Sequence, residues 1–242
     1  MKTAILAAGL CLIPILVCAQ AAPPAPPPRQ EGNAGFSFIS TTGNADTQTL
    51  GLSGEYHYRP DPWHVQAKTA YVRNETDGKA SAESVRFLLR SDRSLTPRAT
   101  LFGQWNYLHD AFAAIDHRNS VAGGVSYQLV ATAPHELWVD GGIGYTNEQR
   151  LVGDDISTAI ALTGLRYRFK LSETAEITDD MGMEFSLSDS DDWRVANVAA
   201  LAAKLTTVLQ IKLSYATRYI HAPAPGFETT DTITAVALVA KF

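Results

Sequence analysis

The feature that most constrains this chain is a two-residue alternation that recurs along nearly all of it. In the clearest run, Leu209, Ile211, Leu213, Tyr215, Thr217 and Tyr219 share one parity, and Gln210, Lys212, Ser214, Ala216 and Arg218 share the other. Successive side chains of a strand point to opposite faces, so the run describes a strand with one apolar and one polar side. Trp63, Val65, Ala67, Thr69 and Tyr71 alternate in the same way with His64, Gln66, Lys68 and Ala70. The pattern returns at Val85–Phe87–Leu89, Leu101–Gly103–Trp105–Tyr107 and Leu165–Tyr167–Phe169. From Ala34 onward no stretch places apolar residues convincingly at helical spacing, although the Ala-rich run from Val195 to Leu205 would suit a helix in isolation. About 12 strands, roughly 17 residues apart, fit between Ala34 and Phe242.

The connections carry a second regularity. Gaps after even-numbered strands are tight: Arg59-Pro60-Asp61-Pro62, Ser94-Leu95-Thr96-Pro97, Ala131-Thr132-Ala133-Pro134, Leu171-Ser172-Glu173 and Thr206-Thr207. Gaps after odd-numbered strands are mostly longer and acidic, over 74–80, 108–117, 150–156, 188–192 and 221–231; the first, Gly43-Asn44-Ala45-Asp46, is short. Sorting by parity means that the two ends of the sheet face different surroundings, as in an outer-membrane barrel with short periplasmic turns and longer external loops. A soluble sandwich has no reason to sort its loops this way.

Aromatic placement separates the two architectures. Tyr71, Tyr107, Tyr145 and Tyr219 each end an odd-numbered strand before a longer loop, while Tyr58, Tyr127, Tyr167 and Phe242 sit near the opposite ends of even-numbered strands. All share parity with the apolar face of their own strand, as does Trp63. Rings gathered at two levels on an apolar face are what membrane interfaces select, because the ring stays in lipid and the hydroxyl reaches water. The chain stops on Phe242 after Val236, Leu238 and Ala240, so the last strand ends in an aromatic insertion signal for the barrel-assembly machinery. Backbone groups in lipid must be paired, so this strand is expected to close against the first one around Phe36 and Phe38.

Composition agrees once it is read against a barrel. A mean hydropathy of -0.07 excludes helical spans, but a wall that alternates lipid-facing and lumen-facing residues averages to the same value. A net charge of -5 argues against a nucleic-acid partner, and lipid is the expected surrounding. Met1-Lys2-Thr3, the apolar run Ala4 to Cys18 and Ala19-Gln20-Ala21 have the layout of a cleaved export signal over residues 1–21. The segment 22–33 reads as a stiff Pro-rich leader, and 34–242 as the barrel. Both cysteines, Cys11 and Cys18, lie in the signal.

Several pieces in a fixed order resemble a known family. They are Gly35-Phe36-Ser37, Thr42-Gly43-Asn44-Ala45-Asp46-Thr47, Gly123-Gly124-Val125-Ser126-Tyr127-Gln128-Leu129, and Asp140-Gly141-Gly142-Ile143-Gly144-Tyr145 with Glu148. Asp192-Trp193-Arg194 and Thr230-Asp231-Thr232 complete the set. Over nearly all of the chain after the leader, this resembles the salt-induced outer membrane proteins, domain-of-unknown-function family 481. The resemblance implies an outer-membrane β-barrel and an association with salt. It implies no reaction and no cofactor.

Chemistry-bearing clusters are few. The six histidines show neither H-x-x-x-H nor H-E-x-x-H spacing, so neither a metal nor a cofactor is expected. An outer-membrane hydrolase would need a nucleophile beside a base, and Asn119-Ser120 near His117 is the one cluster that suggests it. The acidic run Asp189-Ser190-Asp191-Asp192 reads as a solvated loop or, alternatively, a divalent-cation site. The inward parity is more informative. It carries Lys68, Arg86, Arg90, Arg166, Arg168, Lys204, Lys212, Arg218 and Lys241, against the acids Glu55, Asp140 and Glu184. A net basic interior is expected, belonging either to an envelope-stress barrel filled by its own paired cations and without a conducting role, or alternatively to a narrow small-solute or anion channel.

Overall fold

In the computed structural model, which describes residues 28–41, 47–77 and 79–242, the alternating runs become twelve antiparallel strands. They are β1 (Gln30–Thr41), β2 (Thr47–Tyr58), β3 (Trp63–Thr76), β4 (Lys79–Ser94), β5 (Ala99–Asp110) and β6 (Ile115–Ala131). Then follow β7 (His135–Arg150), β8 (Ile156–Lys170), β9 (Ala175–Ser186), β10 (Trp193–Lys204), β11 (Leu209–Ile220) and β12 (Thr230–Lys241). Each strand pairs with its neighbours in sequence, and β1 pairs with β12, so the sheet closes into a barrel. The residues read as export signal (1–21), most of the leader (22–27) and the Gly43-Asn44-Ala45-Asp46 turn lie outside the described residues.

Alternation fixes what each face meets. Ile143 is 69% exposed and Val121 61%, while Ser126, Thr146 and Glu148 on the other parity of the same hairpin are buried. The apolar face therefore looks outward and the polar face fills the inside, the reverse of a soluble core. Helix propensity in the Ala-rich β10 is overridden by its ladders to β9 and β11. A strand inside a closed sheet has every backbone group paired, and small inward side chains suit the lumen.

Three expectations shift. The wall begins at Gln30 rather than Ala34, because Gly32 exchanges both backbone hydrogen bonds with Phe242. The ladder between β1 and β12 runs from Asn33↔Lys241 to Phe36↔Leu238, so closure falls below Phe38, which pairs instead with Leu50 of β2. The stretch 74–80 is not a long loop: a bulge between Asn74 and Glu75 lets the polar tips of β3 and β4 stay paired as far as Thr76↔Lys79. The opposite ends are termed the terminal end, which holds Gln30 and Phe242, and the loop end.

Candidate functional site

Half of the lumen is packed with charge. Facing inward from β4, β7 and β8, Arg90 Nη1 lies 2.8 Å from Asp140 Oδ2, and Arg166 Nη2 donates to Asp140 Oδ1 at 3.0 Å and Ser126 Oγ at 2.8 Å. Arg90 also pairs with Asp92 at 2.9 Å and stacks 4.1 Å over the Phe102 ring. Nearer the loop end, Glu148 is only 1% exposed and meets Arg118, Arg150 and Arg194, while Arg118 also pairs with Glu184. Buried charges persist in a low-dielectric interior only when each is met by counter-charge and hydrogen bonds. These arrays meet that condition.

Two bridges join opposite walls. Lys68 on β3 reaches Asp180 on β9 at 3.7 Å, and Arg218 on β11 reaches Asp110 on β5 at 2.6 Å; each pair is six strands apart in the ring of twelve. Lys68 also lies 3.4 Å from Glu55, which holds His57 at 3.0 Å, and His57 Nδ1 meets His64 Nε2 at 2.9 Å. Asp110 further accepts from Ser84 and faces Arg86 at 3.8 Å, and Arg218 also pairs with Asp231 at 2.9 Å. Arg168 sits more loosely, 3.9 Å from Glu136 and from Glu176.

The remaining wall is different. On β9, β10 and β12 the inward positions include Gly182, Ala196, Val198 and Ile233, and all four are exposed although they face the interior. Val198 and Ile233 are each 38% exposed, and a Cβ added at Gly182 would meet nothing within 4 Å. Ser53 on β2 is likewise inward and exposed. Water therefore reaches the middle of this wall. Toward the terminal end, the same wall carries Lys204, Lys212 and Lys241 on three adjacent strands. Lys204 donates to the Glu173 carbonyl at 3.2 Å, and Lys212 and Lys241 enter no ion pair among the described residues. At the loop end, a cavity of about 310 Å³ opens among Arg150, Asp155, Ser186, Ser188, Asp189 and Asp192.

Every inward cation and acid named from parity faces the lumen by register. The acids Asp92, Asp110, Glu148 and Asp180 point inward with them, and so do Arg118, Arg150 and Arg194. Parity alone could have placed Asp92, two residues from Arg90, and Asp180. Partnerships across six strands have no sequence signal.

The aromatics Tyr58, Trp63, Tyr71, Tyr107, Tyr127, Tyr145, Tyr167 and Tyr219 register on the outward face, four near each end. Several hydroxyls reach polar partners, as Tyr71 does Glu83 and Tyr167 does His135. Ser120 points inward and bonds Thr146 at 2.8 Å, whereas His117 bonds Asp116, so the two do not form a nucleophile–base pair. The acidic run is spent locally: Asp189 caps the Asp191 amide and Asp192 meets Arg194.

A family model described as "Protein of unknown function, DUF481" matches residues 34–242. No curated protein matches the chain. Among solved structures, the COG4313 outer membrane channel from Pseudomonas putida F1 superposes with a TM-score of 0.50 at 12% identity, covering 88% of this chain and 95% of that one. The NanC porin gives 0.48 at 10% identity, over 88% and 97%. The translocator domain of the autotransporter NalP from Neisseria meningitidis gives 0.47 at 13%, over 90% and 89%. At such identities the likeness is one of fold: an outer-membrane β-barrel.

Proposed function

The chain belongs to the DUF481 family, whose function is unknown, and on that premise we propose that it forms a narrow path for small inorganic ions through the outer membrane. The observation that carries this reading is the water-exposed inward face of Gly182, Ala196, Val198 and Ile233 beside a half-lumen filled with ion pairs. A barrel built only as a plug would fill that wall too. The path runs off-centre along β9–β12. The partly exposed Lys68–Asp180 bridge narrows it on the terminal side. On the loop side it passes beside the buried Arg218–Asp110 bridge toward the 310 Å³ cavity. The terminal end faces the periplasm, where the short turns and both ends of the barrel lie. The cations without a carboxylate partner among the described residues at that mouth, Lys212 and Lys241, raise the local anion concentration, so the path favours anions. The salt association implied by the family resemblance fits a gate made of screenable charge.

Planar bilayers test this. Small discrete conductance steps are expected from the purified barrel, growing several-fold when Lys68→Ala and Asp180→Ala are combined. The anion preference should fall or reverse with Lys212→Glu. Silence in both the wild type and the double variant would sink the path and leave an envelope barrel with no conducting role.

A further inference from the structure

The outward girdle at the terminal end is not uniform in charge. Beside β1–β4 it carries two exposed guanidiniums, each set against a ring: Arg29 lies 5.7 Å from the centroid of Tyr58, and Arg93 lies 5.6 Å from that of Trp63. Arg59 in the intervening turn is spent on Glu31 at 3.3 Å, whereas Arg29 and Arg93 enter no ion pair among the described residues. Six strands round the ring from β3, the same level carries a carboxylate instead, Asp179 on β9, in register with Tyr167. The wall beside Arg93 is also uneven. Arg93 pairs in register with Leu101 of β5, and the next outward row, Ser91, Gly103 and Gly123, crosses β4, β5 and β6. A Cβ added at Gly103 would meet nothing within 4 Å. The row after that brings back large exposed side chains, Leu89, Trp105 and Val121. A bare recess bounded by apolar side chains therefore opens beside an unpaired guanidinium.

We propose that this face of β3–β6 holds one anionic phospholipid, its phosphate on Arg93 and an acyl chain in the recess at Gly103 and Gly123. Lipid covers the outward face of an outer-membrane barrel, and the charge selects which lipid. Girdle rings lie at headgroup depth, so a guanidinium resting on Trp63 turns its N–H donors to the interface. A phosphodiester supplies the acceptors, in the paired geometry that a guanidinium fork matches. Arg29, over the ring on β2 and roughly 10 Å away at two strand spacings, adds to the same field. A zwitterionic lipid brings its own ammonium to these cations, so a headgroup of net negative charge, such as that of phosphatidylglycerol, is favoured. The recess fixes the place: a chain lying in it packs against backbone with apolar flanks on either side, and gains contacts that a wall of protruding side chains does not offer. The inference rests on the barrel and its faces, not on conduction.

Native mass spectrometry of the full exported protein, released from nanodiscs of equal parts phosphatidylglycerol and phosphatidylcholine, reads the outcome. The wild type is expected to retain one phosphatidylglycerol with a preference of roughly five-fold, the worth of one guanidinium at an anionic surface. Arg29→Gln with Arg93→Gln should abolish the preference. Lys170→Gln, which removes an exposed cation at the terminal end of β8, should leave it unchanged. Gly103→Leu fills the recess without altering charge and should lower retention of both lipids several-fold. Should the double variant lose the heat-modifiable gel mobility of a folded barrel, Arg93→Gln alone takes its place and should remove most of the preference. Equal retention of the two lipids by the wild type, or retention of neither, overturns the site. So does a preference that survives the loss of both arginines, or one that falls as far with Lys170→Gln. Retention that ignores Gly103→Leu overturns the placement of the chain.

Discussion

At the scale of single residues, the β6–β7 hairpin shows how far this wall depends on what a side chain would meet. A Cβ on Gly124 would fall 2.1 Å from the Gly141 carbonyl oxygen, whereas one on Gly103 would find nothing within 4 Å. Backbone cannot move aside as a flexible side chain can. Gly124→Ala should therefore destabilise the barrel by about 1–3 kcal/mol while Gly103→Ala is neutral, as read from the temperature at which heat-modifiable mobility is lost. Glu148 makes the electrostatic counterpart. Its carboxylate is the common counter-charge of three arginines in the packed half of the lumen. Glu148→Gln keeps the shape and leaves the guanidiniums facing one another, so a loss of about 3–5 kcal/mol is expected in urea unfolding. Lys241→Gln at the open mouth should cost almost nothing.

At the scale of the strand, parity decides tolerance. Leu213 is 47% exposed on the outward face at mid-strand, and Ser214 beside it faces the lumen. Leu213→Arg should impair insertion by about 2–4 kcal/mol, while Ser214→Asn folds normally. The seam is a second strand-level feature. The β1–β12 ladder spans Asn33–Phe36 on β1, where β1–β2 spans Gln30–Thr41. Amide hydrogen exchange on β12 should be fastest at its loop-end half and slowest near Val239, which is buried. Equal protection along β12 would contradict this. How much of this could be read from sequence follows from the same physics. Alternation at Leu209–Tyr219 and the parity of Tyr145 and Tyr167 report local geometry, so the strands and their outward faces are legible in the sequence. The β3–β4 tips were not, because beyond the apolar band nothing forces polar residues such as Asn74 to alternate. The lumen was legible as a set of inward charges, but not as the Lys68–Asp180 and Arg218–Asp110 bridges. Those depend on how twelve strands close.

At the scale of the whole molecule, the two bridges make opposite predictions about salt. Arg218–Asp110 is held at 2.6 Å with its carboxylate buried, and a pair out of water is screened little. Lys68–Asp180 is held at 3.7 Å with side chains 36% and 47% exposed, and such a pair is worth at most about 1 kcal/mol. The screening length shrinks from about 10 Å at 0.1 M to about 3 Å at 1 M, so raising salt across that range removes most of what holds the second bridge. A loss of about 1 kcal/mol shifts an open–closed ratio by roughly five-fold. A path lined by fixed charge but never gated behaves the other way, because its counter-ions are already concentrated at low salt and its conductance rises less than that of the bulk. Conductance divided by bulk conductivity therefore separates the two. For this barrel the ratio should climb by a few-fold between 0.1 and 1 M chloride. With Lys68→Ala and Asp180→Ala combined, it should start high and fall with salt. A wild-type ratio that falls like that of the variant would show that the Lys68–Asp180 bridge crosses the lumen without closing it.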